Sequence, residues 1–126
     1  MTVPADRMYS QEHEWVKVEN GVATVGITEH AQDQLGDIVF VDLPTEGAEF
    51  EKGDEAIALE SAKAAASVYA PANGEIVEAN EELADQPELV NDDCYEAGWM
   101  FKIKFEGEIE GLMDSAAYEK FLAENE

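Results

Sequence analysis

Hydrophobic and polar residues alternate on both sides of an Asn-Gly pair near the start of the chain. The alternation runs through segments 13–18 and 22–27, and the short polar segment 19–21 separates them. A period of two places every second side chain on the same face of a strand, and Asn-Gly favours the tight turn of a β-hairpin. The pattern therefore predicts an antiparallel hairpin over 13–27.

Helical signals follow this hairpin and are brief. Thr28 offers an N-cap hydroxyl and Gly36 provides a stop, which predicts a short helix over 28–35. A strand pattern resumes at 38–41, and proline and glycine then recur at short intervals as far as Pro87. Such spacing is typical of many short strands joined by tight turns, so we predict a mainly β fold.

A last helix is predicted near the end of the chain. Asp114 or Ser115 can cap it, and we expect it to span about 114–124. Helical periodicity places several apolar residues on one face, which we expect to pack against the sheet. These residues are Ala117, Tyr118, Phe121 and Leu122.

Segment 55–70 is compatible with two structures. It is rich in alanine, the best helix former, so propensity alone selects a helix with Lys63 as an ordinary surface lysine. Against this, Ile57 and Leu59 alternate with their neighbours, and Pro71 ends the run. That pattern favours a hairpin with Lys63 at its turn, and pattern alone leaves both structures open.

Composition limits the classes of partner. The chain has 126 residues, 45% of them hydrophobic, which is enough for a single domain, 1–126, with one core. Thirty acidic residues against seven Lys and Arg give a net charge of -23. This field repels phosphate backbones and anionic lipid, so we expect neither nucleic acid nor a membrane as partner. The single cysteine, Cys94, excludes an internal disulfide.

The chain carries no pattern of a signal peptide or a spanning helix, and we expect a cytoplasmic protein. Its acidic excess destabilises the compact state in dilute buffer, because neighbouring carboxylates repel each other. High salt screens such repulsion. We therefore hypothesise a salt-rich, halophilic cytoplasm, the alternative being an acidic protein that docks on basic partners.

The most specific motif in the chain lies around Lys63. Segment 60–66 reads Glu-Ser-Ala-Lys-Ala-Ala-Ala, and Tyr-Ala-Pro and Gly-Glu-Ile-Val-Glu-Ala-Asn follow it. Further motifs are His-Glu-Trp at 13–15, Leu-Gly-Asp-Ile-Val-Phe-Val at 35–41 and Gly-Trp-Met at 98–100. In this order, and over nearly the whole chain, they resemble the glycine cleavage system H protein family of lipoyl carriers.

The resemblance implies a barrel-sandwich hybrid of two antiparallel sheets, with short peripheral helices and a C-terminal helix. It places Lys63 at the tip of a hairpin of about 55–70, in place of the helix that propensity favours. Lipoate is then the cofactor, linked through an amide to Lys63. The positions around this attachment site are Glu60, Ser61, Ala62, Ala64, Gly47 and Gly74.

The resemblance also implies a shuttle protein without catalysis of its own. In the family, a pyridoxal-phosphate glycine decarboxylase loads an aminomethyl group onto the lipoyl arm. An aminomethyltransferase passes the one-carbon unit to tetrahydrofolate, and dihydrolipoamide dehydrogenase reoxidises the arm. A lipoyl ligase or lipoyltransferase attaches the lipoate, and we expect the carrier to be a monomer when free.

Two positions are candidates for contact with the loaded arm. By the resemblance, the Glu14 carboxylate can pair with the arm's amine, although a plain surface carboxylate is an equal alternative. Ser67 stands where the family usually has aspartate, which weakens a second contact. Ala62 replaces a common valine, and Cys94 replaces a common proline and could form a mixed disulfide with the arm.

Other chemistry has less support in the sequence. His13 and His30 lack a nucleophile or metal-ligand spacing, so we interpret both as structural and expect no metal site. An enzyme with its own active site is the least supported class. The alternatives to the shuttle are an interaction module without lipoate, and a lipoyl donor or carrier for 2-oxo acid dehydrogenase complexes.

Overall fold

The computed structural model describes residues 2–125, which form two antiparallel sheets with short helices around them. The large sheet has the strand order β1-β2-β3-β9-β8-β5, and the small sheet has the order β4-β6-β7. The predicted fold class, mainly β with two antiparallel sheets, is confirmed. The elements are β1 (Met8–Tyr9), β2 (Glu14–Glu19), β3 (Val22–Ile27), α1 (Glu29–Leu35), β4 (Ile38–Asp42), β5 (Glu49–Phe50), β6 (Glu55–Ser61), β7 (Ala65–Tyr69), β8 (Gly74–Ala79), α2 (Glu82–Asp85), α3 (Leu89–Asp92), β9 (Phe101–Phe105) and α4 (Ser115–Asn125).

The first hairpin forms as the alternation predicts. β2 and β3 pair with Val18 opposite Ala23, and Asn20 and Gly21 occupy the turn with φ of 52° and 77°. Two consecutive positive φ angles are the requirement of a two-residue hairpin turn, which Asn-Gly meets at little cost. The hairpin therefore follows directly from the local sequence.

The core lies between the two sheets. The large sheet contributes buried side chains such as Val25, Ile76 and Ile103, and the small sheet contributes Ile57 and Leu59. These side chains come from alternate positions of each strand, so one face of each sheet is apolar. Among residues 2–125, the structure has no helix long and apolar enough to cross a membrane.

Segment 55–70 is a hairpin, and the helix that propensity favours there is wrong. β6 and β7 pair with Leu59 opposite Ala66 and Ile57 opposite Val68. Ile57, Leu59 and Val68 are buried in the core, whereas a helix would place Ile57 and Leu59 about 200° apart around its axis. Burial of this face outweighs the small helical preference of alanine.

Helix α1 begins and ends where the caps predict. The Ala31 N–H donates to the Thr28 hydroxyl at 3.2 Å, and the Gly36 N–H donates to the Gln32 carbonyl at 2.9 Å with φ of 78° at Gly36. This geometry satisfies free backbone groups at both ends of the helix. Its C-terminal turn leads straight into β4.

Helix α4 packs against the strands through part of its predicted face. Asp114 is the capping residue, since its Oδ1 accepts a hydrogen bond from the Ala117 N–H at 2.8 Å. Tyr118 and Leu122 are buried in a second core cluster with Tyr9. Ala117 is exposed, so its predicted place on the buried face is wrong. The buried face centres on Tyr118 and Leu122, and Ala117 lies about 100° from Tyr118 around the helix axis.

Candidate functional site

Lys63 occupies the tip of the β6–β7 hairpin, in a turn that Ser61 organises. The Ser61 hydroxyl accepts hydrogen bonds from the Ala64 N–H at 2.9 Å and the Lys63 N–H at 3.3 Å, and it donates to the Ala64 carbonyl at 3.0 Å. The Ser61 N–H also donates to that carbonyl, at 2.8 Å. A turn tied at several points presents its lysine in a defined direction.

The turn rests on the connection between α1 and β4. The Ala62 N–H donates to the Asp37 carbonyl at 3.0 Å. A Cβ at Gly36 would lie 3.1 Å from the Lys63 Cε, so the lysine stem passes directly over this glycine. The absence of a side chain at position 36 leaves room for the stem.

Asn91 of α3 holds the connection between α1 and β4 in place through its side-chain amide. Its Oδ1 accepts from the Ile38 N–H at 2.8 Å, and its Nδ2 donates to the Gly36 carbonyl at 2.8 Å and to Gln32 Oε1 at 3.0 Å. One amide side chain thus joins α1, β4 and α3. Sequence reasoning did not find this role, because the partners of Asn91 lie more than fifty positions away.

The surroundings of Lys63 suit a covalent arm. Lys63 and the flanking Ala62, Ala64 and Ala65 are exposed, and within residues 2–125 Lys63 forms no ion pair within 4.0 Å. An unencumbered primary amine between methyl-sized neighbours can enter the active site of an acylating enzyme and accept an acyl group there. The residues at the tip therefore fit an amide-linked lipoyl group.

Glu14 is buried, which overturns its interpretation as a plain surface carboxylate. The Tyr69 N–H donates to Glu14 Oε2 at 2.6 Å, and the Ser10 hydroxyl donates to Oε1 at 3.1 Å. Burial raises the pKa of Glu14 to about 7, although both hydrogen bonds act in the opposite direction. The Glu14 carboxyl thus accepts a hydrogen bond from the backbone N–H of the last residue of β7, whose outer edge pairs with no other strand of the described chain. With a pKa of about 7, it can bind or release a proton near neutral pH.

A cleft of about 250 Å³ opens beside Glu14. Its lining includes Ser10, Glu12, Glu14, Tyr69 and Leu112. The cleft combines the carboxylates of Glu12, Glu14 and Glu110 with one lysine, Lys52, and with apolar walls, and its excess of acidic groups suits a cationic group on an apolar arm. Sequence reasoning assigned neither Ser10 nor Tyr69 to a cleft, although Tyr69 belongs to the Tyr-Ala-Pro motif and Ser10 lies three residues before His-Glu-Trp.

The other predicted positions fall into two groups. Glu60 and Ser67 lie in the hairpin strands, and Ser67 stands two residues from Tyr69 on the same face of β7. Gly47 and Gly74 lie instead with the large sheet: the Gly47 N–H donates to the Ile76 carbonyl at 2.8 Å, and a Cβ at Gly74 would lie 2.2 Å from the Lys104 carbonyl oxygen. Gly74 therefore permits close approach of β9, whereas a Cβ at Gly47 would meet no atom of the described residues within 4 Å, and this glycine serves a turn with φ of 89°.

His13 and His30 form a packed pair beneath α4. Their ring centroids are 4.5 Å apart, and His13 Nδ1 lies 2.9 Å from the Tyr118 hydroxyl. Burial, with the neighbouring His30, lowers the pKa of His13. This arrangement agrees with the structural role expected of both. Cys94 is also buried, and burial raises the pKa of its thiol to about 12, which argues against a mixed disulfide with the arm.

Comparison with known proteins identifies the family. The family model described as glycine cleavage H-protein matches residues 7–125. The chain is 57% identical over 123 residues to the glycine cleavage system H protein of Escherichia coli, covering 95% of each chain. It is 54% identical over 120 residues to that of Thermotoga maritima, covering 94% of this chain and 97% of the relative.

A solved structure gives the same result. The crystal structure of a glycine cleavage system H protein from Mycobacterium marinum has a TM-score of 0.90 and 34% sequence identity, and the match covers 96% of this chain and 99% of that one. The fold, the sequence and the exposed lysine on its hairpin therefore point to the same family. The chain belongs to the glycine cleavage H-protein family, the lipoyl carriers of the glycine cleavage system.

Proposed function

We propose that Lys63 carries lipoate through an amide bond and that the whole chain acts as one carrier domain. The observation that supports this most strongly is the exposed Lys63 amine on a turn fixed by Ser61 and Asp37. A lipoyl arm has a long apolar stem and ends in a disulfide that can be reduced, can carry an aminomethyl group and can be reoxidised. Tethering raises the effective concentration of that group at each partner enzyme.

The proposed partners are those that membership of the glycine cleavage H-protein family implies. They are the pyridoxal-phosphate glycine decarboxylase, the tetrahydrofolate-dependent aminomethyltransferase, dihydrolipoamide dehydrogenase and the enzyme that attaches lipoate. The chain itself binds, orients and shelters the arm and performs no catalysis. It works in the cytoplasm. It is a monomer when free, and sedimentation velocity of the purified protein tests this oligomeric state directly.

We propose that the loaded arm lies along the free edge of β7, from the tip to the cleft beside Glu14. A strand rises by about 3.3 Å per residue, so the four steps from Ala65 to Tyr69 span about 13 Å. This distance is comparable with the length of an extended lipoyl-lysine side chain. Ser67 lies midway along the path, and Glu14 marks its end.

Glu14 is suited to hold an amine at that end. Its pKa of about 7 falls when an ammonium group enters the cleft, because the opposite charge favours the carboxylate. The resulting ion pair is shielded from water by the walls of the cleft and is stronger than a pair on the surface. Such shelter slows hydrolysis of an aminomethyl group.

Intact-mass analysis of the chain purified from its native host tests the attachment, with peptide fragmentation across 60–69. We expect one lipoyl adduct, on Lys63, in the wild type. We expect none in Lys63→Arg and an unchanged adduct in the matched control Lys104→Arg. A bare Lys63 in cells that lipoylate other proteins would instead support the interaction module. Transfer of the group to a 2-oxo acid dehydrogenase component would support the lipoyl donor.

The lifetime of the aminomethyl group on loaded protein tests the arm contacts. We expect Glu14→Gln to shorten this lifetime by about tenfold, because an uncharged amide holds an ammonium group less well. Ser67→Asp should lengthen it, since a second carboxylate then lies along the path. Equal lifetimes in loaded wild type and loaded Glu14→Gln would refute the contact and leave the attachment at Lys63 untouched.

A further inference from the structure

Strand β4 carries two consecutive exposed apolar side chains. Val39 is 54% exposed and Phe40 is 51% exposed, while Ile38 and Val41 on either side are buried. Contiguous exposed apolar surface costs solvation free energy and, where it forms a patch, marks candidate interaction sites. The described residues with large exposed apolar side chains are Met8, Val18, Val39, Phe40, Tyr69 and Val77.

A register shift explains why two neighbours face outward together. β4 pairs with β6 through Ile38 opposite Ser61 and Phe40 opposite Glu60, which leaves Val39 as an extra residue without a partner. A bulge of this kind redirects side chains and breaks the regular alternation of a strand. Without it, Val39 and Phe40 would lie on opposite faces.

The pair lies directly beside the Lys63 turn. The residue before β4, Asp37, accepts the hydrogen bond from the Ala62 N–H, and Gly36 lies under the lysine stem. Phe40 shares the outer face of the small sheet with Glu60, three residues before Lys63. A protein that covers the tip from this side therefore covers Phe40.

The neighbours of Phe40 define the chemistry of a partner. Across the outer face, Glu60 is followed by Ala65, and the next row is Asp42, Ala58 and Ser67. The surface is thus an aromatic ring among small side chains, flanked by the two carboxylates of Glu60 and Asp42. Its complement is an apolar pocket bordered by lysine or arginine.

We propose that Val39 and Phe40 form the docking surface for the enzyme that acylates Lys63, and that this enzyme presents an apolar pocket bordered by basic residues. The proposal rests on the proposed function of Lys63. A bare lysine is short, so the acylating active site must come within one side-chain length of the tip. Enzymes that react with the finished lipoyl arm can act from farther away, because the arm extends the lysine side chain.

The tip itself offers this enzyme little to recognise. The residues directly on either side of Lys63, at 62 and 64–66, are alanines, whose side chains supply a few methyl contacts and no hydrogen bonds. Aromatic anchors surrounded by small contacts supply most of the binding free energy in typical interfaces. Phe40 is the large side chain in position to serve as that anchor.

The experiment measures kcat/KM for transfer of the lipoyl group from lipoyl-adenylate to the Lys63 amine of the full, unmodified chain by purified lipoyl ligase, with release of AMP. We expect Phe40→Ser to lower kcat/KM by about tenfold or more, mainly through KM, with Val39→Ser showing a smaller loss. The matched control Val18→Ser removes a valine of similar exposure, 48% against 54% for Val39, from the large sheet and should stay within about twofold. Urea unfolding midpoints identify any variant that is misfolded.

Charge substitutions give a second, independent measurement. Asp42→Lys should lower kcat/KM and reduce its salt dependence, whereas the distant Glu108→Lys should change neither. Wild-type rates in both Phe40→Ser and Asp42→Lys would overturn the docking surface. A wild-type dimer that Phe40→Ser abolishes would assign the surface to a second copy and also overturn it. Failure of the wild type to accept lipoate at Lys63 would refute the proposed function itself.

Discussion

At the scale of single residues, Glu14 makes the stability of the folded protein depend on pH. Its ordinary pKa is 4.5, and burial raises the value in the folded protein to about 7. The folded state therefore binds the proton more tightly than the unfolded state. The stability that this group contributes is complete below pH 4.5 and is lost as pH rises through 7.

Glu14→Gln tests this coupling, because the amide stays neutral and can accept the same hydrogen bond from the Tyr69 N–H. We expect the variant and the wild type to have similar free energies of unfolding near pH 4. At pH 8 the variant should be more stable by about 3 kcal/mol, from the shift in pKa. Urea unfolding across this range measures the difference. A difference that is constant with pH would contradict the buried-carboxylate explanation.

Gly36→Ala tests the contact between this glycine and the Lys63 stem, with Gly53→Ala as the matched control. Both adopt positive φ, at 78° and 91°, so alanine at either position should cost about 1–2 kcal/mol of unfolding free energy. A Cβ at Gly36 also meets the Lys63 Cε, whereas a Cβ at Gly53 meets nothing within 4 Å. We therefore expect Gly36→Ala alone to slow lipoylation. Equal lipoylation rates in the two variants would argue against the contact.

Residue types indicated some of these roles and concealed others. Glycine at 36 was readable as a helix stop, because only the local backbone decides that role. Glu14 gave no sign of burial, since a carboxylate is mostly exposed and its partner Tyr69 is 55 positions away. Long-range partners of this kind depend on how the sheets pack, which single-residue preferences do not contain.

At the scale of elements, Tyr118 joins α4 to the rest of the protein. Its hydroxyl lies 2.9 Å from His13 Nδ1 and 2.8 Å from the Thr28 hydroxyl, and its ring stacks on Tyr9 with centroids 4.7 Å apart. We expect Tyr118→Phe to keep the stacking and to cost about 1–3 kcal/mol of unfolding free energy through the lost hydrogen bonds.

The control for Tyr118 is its exposed neighbour on the same helix. Lys120→Gln removes a weak surface pair with Glu124 and should change the free energy of unfolding by less than about 0.5 kcal/mol. Chemical denaturation of both variants measures the effect. A loss in Lys120→Gln as large as that in Tyr118→Phe would show that helix formation, and not the hydroxyl contacts, holds α4 in place.

The elements differ in how far local sequence determines them. The β2–β3 hairpin was predictable because its turn and its alternation agree. The β6–β7 hairpin was not, because alanine propensity opposes the strand pattern and only burial between the sheets decides the outcome. There the family resemblance supplied what local preference lacked. The bulge in β4, which exposes Phe40, left no signal in the sequence.

At the scale of the whole molecule, the net charge of -23 remains the largest feature that the fold does not explain. Few acidic groups have cationic partners: the described residues show Asp6, Glu78, Glu96 and Glu124 within 4.0 Å of a lysine or arginine. The remaining carboxylates repel one another across the surface. We propose that the protein operates in a salt-rich cytoplasm, where this repulsion is screened over a few ångströms.

Thermal unfolding in potassium chloride tests that proposal. Between about 0.1 M and about 2 M salt, we expect the melting temperature to rise by roughly 10 °C, because screening relieves repulsion in the folded state more than in the expanded chain. A variant with Glu46, Glu51 and Glu108 changed to glutamine should start at a higher melting temperature and gain less from salt. These side chains are exposed, so the substitutions leave the core unchanged. A flat curve for the wild type would mean that the acidic surface serves docking on basic partners instead, and kcat/KM for lipoylation should then fall steeply over the same range of salt.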